Sequence, residues 1–153
     1  ESLQFNLLGR RQRDVLGIYQ RADLALEHAS IQTRMIARAL ADATAQDAPQ
    51  GWLAHDALGE PLADLLDMAV ETLDAHLVRI RKGDLTGGLP IDLARLTFLQ
   101  AAISRHSYDY EAELRQGGWI YLGEVVALTT QMITDLSVPA DQLEVIPTVG
   151  TGS

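Results

Sequence analysis

The sequence predicts an all-α fold: a four-helix, mainly antiparallel bundle with a long first helix. Four long segments repeat apolar residues at steps of three and four, which is the period of a helix with one buried face. None of the segments alternates apolar and polar residues as a half-buried strand does. Breaks rich in Gly and Pro join the segments, and short connections place consecutive helices side by side. The chain of 153 residues has the size of one ordinary domain.

The first helix is predicted from about Gly9 to Gln46, longer than the others by about two or three turns. Its main apolar face consists of Val15, Ile18, Ala22, Leu26, Ala29, Thr33, Ile36 and Leu40. A second stripe beside it consists of Leu24, His28, Ile31 and Met35. Because of the extra length, we expect this helix either to kink near Gly17 or to protrude from the bundle at one end. Two stripes indicate that other helices surround much of its circumference, as they do around a central bundle helix or a helix in an oligomer.

The three later helices are predicted between clear breaks. Pro49 prevents continuation of the first helix, and Pro61 is expected in the first turn of the second, where its missing N–H costs nothing. The second helix ends at Gly83, and its predicted inner face is Leu62, Leu65, Leu66, Ala69, Val70, Leu73, Leu77 and Ile80. The third is expected over about 91–116 and the fourth over about 119–136. Among the most buried side chains we expect Ile36, Leu66, Leu73, Leu96 and Met132.

The predicted domain covers residues 1–138, and residues 139–153 form a tail between two prolines that we expect to be only partly ordered. The chain begins with Glu1 rather than Met, and its start lacks the regions of a signal peptide. We therefore expect it to be a processed product or a piece excised from a longer protein.

The composition excludes several function classes. A net charge of −9 repels phosphate backbones, so no nucleic-acid partner is expected. The absence of cysteine removes thiol nucleophiles, cysteine-based zinc sites and iron–sulfur clusters. No apolar run approaches the roughly 18 residues of a membrane-spanning helix.

The residues that carry chemistry form no catalytic or metal-binding pattern. None of the four histidines has a glutamate three residues before it, the spacing of a di-iron site in a helix bundle. His106 and Asp109 share a helix face, which a solvated surface explains equally well. The recurring acids Asp64, Asp67, Glu71 and Asp74 flank the polar side of an amphipathic helix. We therefore predict no enzyme activity, no metal and no cofactor.

Aromatic residues concentrate where the third helix turns into the fourth: Tyr108, Tyr110, Trp119 and Tyr121. One interpretation is a ligand pocket or a patch that binds a partner. The favoured interpretation is that the rings fill the end of the bundle, because aromatic side chains usually lie in cores.

Three arginines, Arg10, Arg11 and Arg13, lie near the start of an otherwise acidic chain. The helix dipole would favour acids at this end, so the arginines need another explanation. If a membrane span preceded Glu1, they would form a membrane-proximal basic cluster on the cytoplasmic side. A surface patch that meets the acids of a partner helix explains them equally well.

The segment 24–43, LALEHASIQTRMIARALADA, resembles the helix that follows the membrane block in some fusaric-acid-resistance or aromatic-acid-exporter-like proteins. Segments 62–77 and 122–136 look similar to later helices of the same soluble region. The resemblance covers about two thirds of the chain. It implies an inner-membrane efflux component whose helical part lies in the cytoplasm, and it implies no transport residue here.

Together these observations predict a non-catalytic cytoplasmic helical domain of a membrane efflux or transport protein, acting in assembly or regulation. It would lie at the cytoplasmic face of the inner membrane. The alternative is a free-standing cytoplasmic sensor or adaptor bundle that binds a small ligand or a partner helix.

The two stripes also predict association, because a bundle covers only one broad face of each helix. Leu24, Ile31 and Met35, or an overhang near Phe5, Leu7 and Leu8, would stay uncovered. We expect a second copy, in a homo-oligomer, or the missing membrane portion of the same protein to cover them.

Overall fold

A computed structural model describes residues 2–46, 56–110 and 118–139, with side chains from residue 11 to 45 in the first range. Four helices make up these ranges: α1 (Ser2–Gln46), α2 (Asp56–Lys82), α3 (Leu93–Asp109) and α4 (Gly118–Ser137). No strand occurs among the described residues. The all-α, four-helix architecture and the long first helix are confirmed. α3 ends at Asp109, earlier than the predicted end near Gln116. Residues 111–117 and the tail beyond Pro139 fall outside the described ranges.

The helices share one core. α1 packs along α4, α4 packs along α2, and α2 packs along α3. All four contribute to a single cluster of buried apolar side chains, with Leu58, Leu65, Val125, Ile133 and Leu136 fully shielded from solvent. The inner face of α1 is mostly alanine: Ala22, Ala25, Ala29, Ala39 and Ala43. Small residues allow close approach of α1 to the larger side chains of α4.

The length of α1 is accounted for by its N-terminal end. The helix has 45 residues, about 68 Å at 1.5 Å per residue, and it continues without interruption through Gly17. None of residues 11–21 is buried, and burial begins at Ala22. α1 begins at Ser2, seven residues before the predicted start near Gly9. Of the two expected outcomes, kink or protrusion, the structure therefore has an N-terminal extension. We call residues 2–21 the N-terminal arm.

α2 begins earlier than the sequence predicted. It starts at Asp56, so Pro61 lies inside the helix and not in its first turn. Pro61 interrupts one backbone hydrogen bond, a real cost in a helix interior. Leu58, with no exposed surface, packs into the core from the turn before the proline. Burial of this leucine stabilises the extra turn that Gly59 and Pro61 alone would disfavour.

The predicted inner face of α2 was too wide. Leu62, Leu65 and Ala69 are buried, but Val70 is 56% exposed and Leu77 is 37% exposed. Of the five residues expected to be most buried, three are: Ile36, Leu96 and Met132. Leu66 and Leu73 are only half-buried against the core. The physical reason is that α2 packs between α3 and α4, which leaves the flank of these residues partly uncovered.

The loop between α2 and α3 is held by hydrogen bonds to α2 and to the end of α4. Gly83 ends α2 with φ of 70°, a left-handed conformation that favours glycine. Arg79 Nε donates to the carbonyl oxygen of Asp84 over 3.0 Å. The Leu89 N–H donates to the carbonyl oxygen of Ser137 over 2.9 Å, so the loop lies against the end of α4. Asp92 then caps α3 by accepting from the Arg95 N–H.

Candidate interaction surface on the first helix

The second stripe predicted on α1 lies at the protein surface. Leu24 is 38% exposed, Ile31 45% and Met35 43%, and His28 between them is exposed. We call these four residues the outer stripe. Its members are spaced by four, three and four residues, the spacing with which two helices pack along a seam. The bundle thus leaves a straight apolar stripe uncovered on its longest helix.

The two flanks of the outer stripe differ. On one flank α1 is attached to α4, because Gln32 Nε2 donates to Asp135 Oδ2 over 3.2 Å. The other flank is open and charged: Glu27 and Arg34 are both exposed. The Arg34 Nη2 donates to the hydroxyl of Ser30 one turn earlier, over 3.1 Å. A partner of the stripe would therefore meet one positive and one negative side chain beside it.

Past the outer stripe, Arg38 and Asp42 form an exposed pair within α1. Arg38 Nε lies 3.8 Å from Asp42 Oδ2, and both side chains are more than half exposed. Such a pair stabilises an isolated helix only slightly. It does, however, place both signs of charge at this end of the surface.

The N-terminal arm carries a second apolar surface. Val15, Leu16 and Tyr19 are 53%, 58% and 41% exposed and border an open depression of about 400 Å³. Val15 continues the line of Ile18 and Ala22, the face by which α1 enters the core farther along. The same face is thus buried inside the bundle and exposed on the arm.

The predicted basic cluster lies on this arm. Arg11 and Arg13 have exposed side chains, and Arg11 borders the depression beside Val15. The side chain of Arg10 lies outside the described residues. Because the arm is one continuous helix, the arginines lie at the end of α1 that is far from the outer stripe's Met35.

A groove also separates α1 from the end of α2. Tyr19, Asp23, Leu26 and Ile80 line it, and its volume is about 300 Å³. α1 and α2 pack mainly on α4 rather than on each other, which leaves this space between them. The groove is largely apolar, with Asp23 at its edge.

The four aromatic residues have two different environments. Tyr108 and Trp119 stack edge to face, with ring centroids 6.1 Å apart and an interplanar angle of 64°. Tyr108 is 71% exposed, so this pair lies at the surface. Tyr110 and Tyr121 instead pack against the core as partly buried side chains. The favoured interpretation, packing at the bundle end, describes Tyr110 and Tyr121 but not Tyr108.

One of the four histidines, His76, is a core residue. His76 is buried, and its Nδ1–H donates to the carbonyl oxygen of Leu136 over 3.0 Å. Its Nε2 is buried without a partner among the described residues. The available signal was its spacing from Leu73 and Ile80, three and four residues along the inner face. His76 joins α2 to the last turn of α4.

The other polar candidates lie apart from one another. His106 Nδ1 is 3.3 Å from Asp109 Oδ2 at the surface. The four acids of α2 are exposed, and Glu71 accepts from Arg95 Nη1 over 2.8 Å. In the described ranges, no group of three or more His, Asp or Glu residues is placed to hold a metal ion. His55 falls outside those ranges.

None of the helices in the described ranges combines the length and the apolar character needed to span a bilayer.

Comparison with family models, curated proteins and solved structures finds no match to this chain. The similarity to exporter-like proteins therefore stays a prediction from the sequence.

Proposed function

We propose that this domain is a non-catalytic assembly module of a membrane efflux or transport protein, on its cytoplasmic face, and that α1 makes the contacts. One observation carries the proposal. α1 exposes large apolar side chains in two places: Val15, Leu16 and Tyr19 on the arm, and Leu24, Ile31 and Met35 in the outer stripe. Soluble monomers seldom expose extended apolar patches, and such patches mark interaction sites.

The arm supports the link to a membrane. It extends the helix beyond the buried part of α1 and carries the three arginines over residues 10–13, in its middle. Anionic lipid headgroups of the cytoplasmic leaflet attract basic side chains near the surface, at about 1 kcal/mol for each residue.

Vesicle binding tests this arrangement. We expect the chain to co-sediment with phosphatidylcholine vesicles that contain about 30% phosphatidylserine, and to detach in about 0.5 M salt. The double variant Arg11→Gln/Arg13→Gln should lower the partition coefficient at least about tenfold. The matched control Arg81→Gln/Arg105→Gln removes the same charge from exposed residues of the bundle and should change it less than about threefold. Equal effects of the two variants, or no binding at low salt, would contradict the membrane-proximal orientation.

A free-standing adaptor is the second candidate, and the groove between α1 and α2 favours it. Apolar walls from Leu26 and Ile80 and a volume of about 300 Å³ suit the side chains of a partner helix. The gene upstream of Glu1 separates the two candidates. Hydrophobic spans of about 20 residues there support the transport protein, and a gene without them supports the adaptor.

A further inference from the structure

We infer that a second copy of this chain covers the outer stripe, with the two α1 helices packed antiparallel about a twofold axis between His28 and Ile31. The inference deepens the proposed function, since it rests on α1 as the contact helix and names its partner. The antiparallel pair has its two arms at opposite ends, so α1 would lie along the membrane surface with both arms in contact. A twofold interface joins the same surface of both subunits, so the surface must be complementary to itself. The outer stripe meets this requirement in shape and in charge.

The spacing of the stripe sets the register. Steps of four, three and four residues alternate as do the a and d positions of a heptad, whose residues pack along a common seam. In the antiparallel alignment, Leu24 lies opposite Met35 of the partner subunit, and His28 lies opposite Ile31 of the partner subunit. Each of the two symmetric halves then buries one leucine–methionine contact and one histidine–isoleucine contact.

The charges of the open flank favour the antiparallel direction. Glu27 precedes His28 and Arg34 precedes Met35, so both occupy the same side of the seam. In the antiparallel register, Glu27 comes within about two residues, or about 3 Å along the axis, of Arg34 of the partner subunit. The symmetry repeats this contact, which gives two ion pairs of opposite sign.

A parallel pair would have no such contacts. It would place Glu27 beside Gln32, which is already bonded to Asp135, and would set Arg38 against Arg38 of the partner subunit. In the antiparallel pair, Arg38 comes opposite Arg21 of the partner subunit; Asp42, 3.8 Å from Arg38 in the same chain, offsets the positive charge at this end in either direction. The contacts between Glu27 and Arg34 therefore favour a second copy in the antiparallel direction.

Sedimentation of the full 153-residue chain and its charge-swapped variants tests the inference. We expect a dimer at micromolar to high micromolar concentration. Glu27→Arg should raise the dimer Kd about tenfold, since two exposed ion pairs become like-charge contacts. Arg34→Glu should do the same. The double variant Glu27→Arg/Arg34→Glu restores both pairs with reversed sign and should return Kd to within about threefold of the wild type.

Apolar variants test the seam itself. Ile31→Glu/Met35→Glu should abolish the dimer, while Val70→Glu, at an exposed position on α2, should leave it intact. Circular dichroism checks that all variants keep their helices. Any of three results would overturn the inference. The wild type is monomeric at high micromolar concentration, the dimer survives Ile31→Glu/Met35→Glu, or the double charge swap fails to restore the dimer Kd. The vesicle experiment is independent, because its arginines lie on the arm and not on the outer stripe.

Discussion

Truncating Leu65 to alanine is expected to lower the free energy of unfolding by about 2–5 kcal/mol. Leu65 has no exposed surface and belongs to the core cluster to which all four helices contribute. Alanine removes the buried side-chain atoms and leaves a cavity, because surrounding side chains relax only partly. Urea denaturation followed by circular dichroism measures the loss.

The matched control for this prediction is Leu77→Ala. It makes the same chemical change on the same helix three turns later, where the leucine is 37% exposed. We expect Leu77→Ala to lower the free energy of unfolding by at most about half as much as Leu65→Ala, because Leu77 buries less apolar area on folding. Equal losses at the two positions would show that the assigned buried face of α2 is wrong.

Replacing His76 by alanine is expected to cost about 2–4 kcal/mol. The change removes the hydrogen bond from Nδ1 to the Leu136 carbonyl oxygen, and it leaves the space of a buried ring empty. The bond joins α2 to the last turn of α4, so its loss weakens the contact between two of the core helices. Chemical denaturation again provides the measurement.

Two further variants separate the contributions at this position. His76→Leu keeps most of the volume and removes the buried Nε2 that has no described partner, so it should cost less than His76→Ala. His106→Ala removes a histidine at the surface, whose single described contact is with Asp109, and should change stability by less than about 0.5 kcal/mol. A loss at His76 as small as that at His106 would be incompatible with a buried, bonded ring.

The helices were predictable because apolar residues at steps of three and four leave a strong signal over segments of this length. The ends were less predictable. Gly59 and Pro61 indicate a break, yet α2 continues through both because Leu58 anchors the preceding turn in the core. A local signal for termination was outweighed by burial, a tertiary effect that the sequence does not display.

The width of a helix's buried face depends on its neighbours. Val70 follows the periodicity of α2 but is 56% exposed, because none of the four described helices covers that flank. The outer stripe of α1 was predictable for the converse reason: two adjacent stripes exceed what one bundle can cover. The buried histidine was not anticipated, since a polar residue at an apolar position identifies its hydrogen-bond partner only once the packing of α2 against α4 is known.

Disulfide trapping is the most direct measurement of the antiparallel pairing of α1. The chain has no cysteine, so an introduced cysteine reports a single contact. Leu24→Cys chains carrying a mass tag are mixed with untagged Met35→Cys chains and oxidised mildly. The predicted result is a mixed disulfide between the two variants, with little cross-linking of either variant alone, because in this register equivalent residues lie about 16 Å apart along the axis. Efficient cross-linking of Leu24→Cys to itself would show a parallel pair, and the absence of any mixed disulfide would show that the outer stripes do not meet; either result contradicts the pairing.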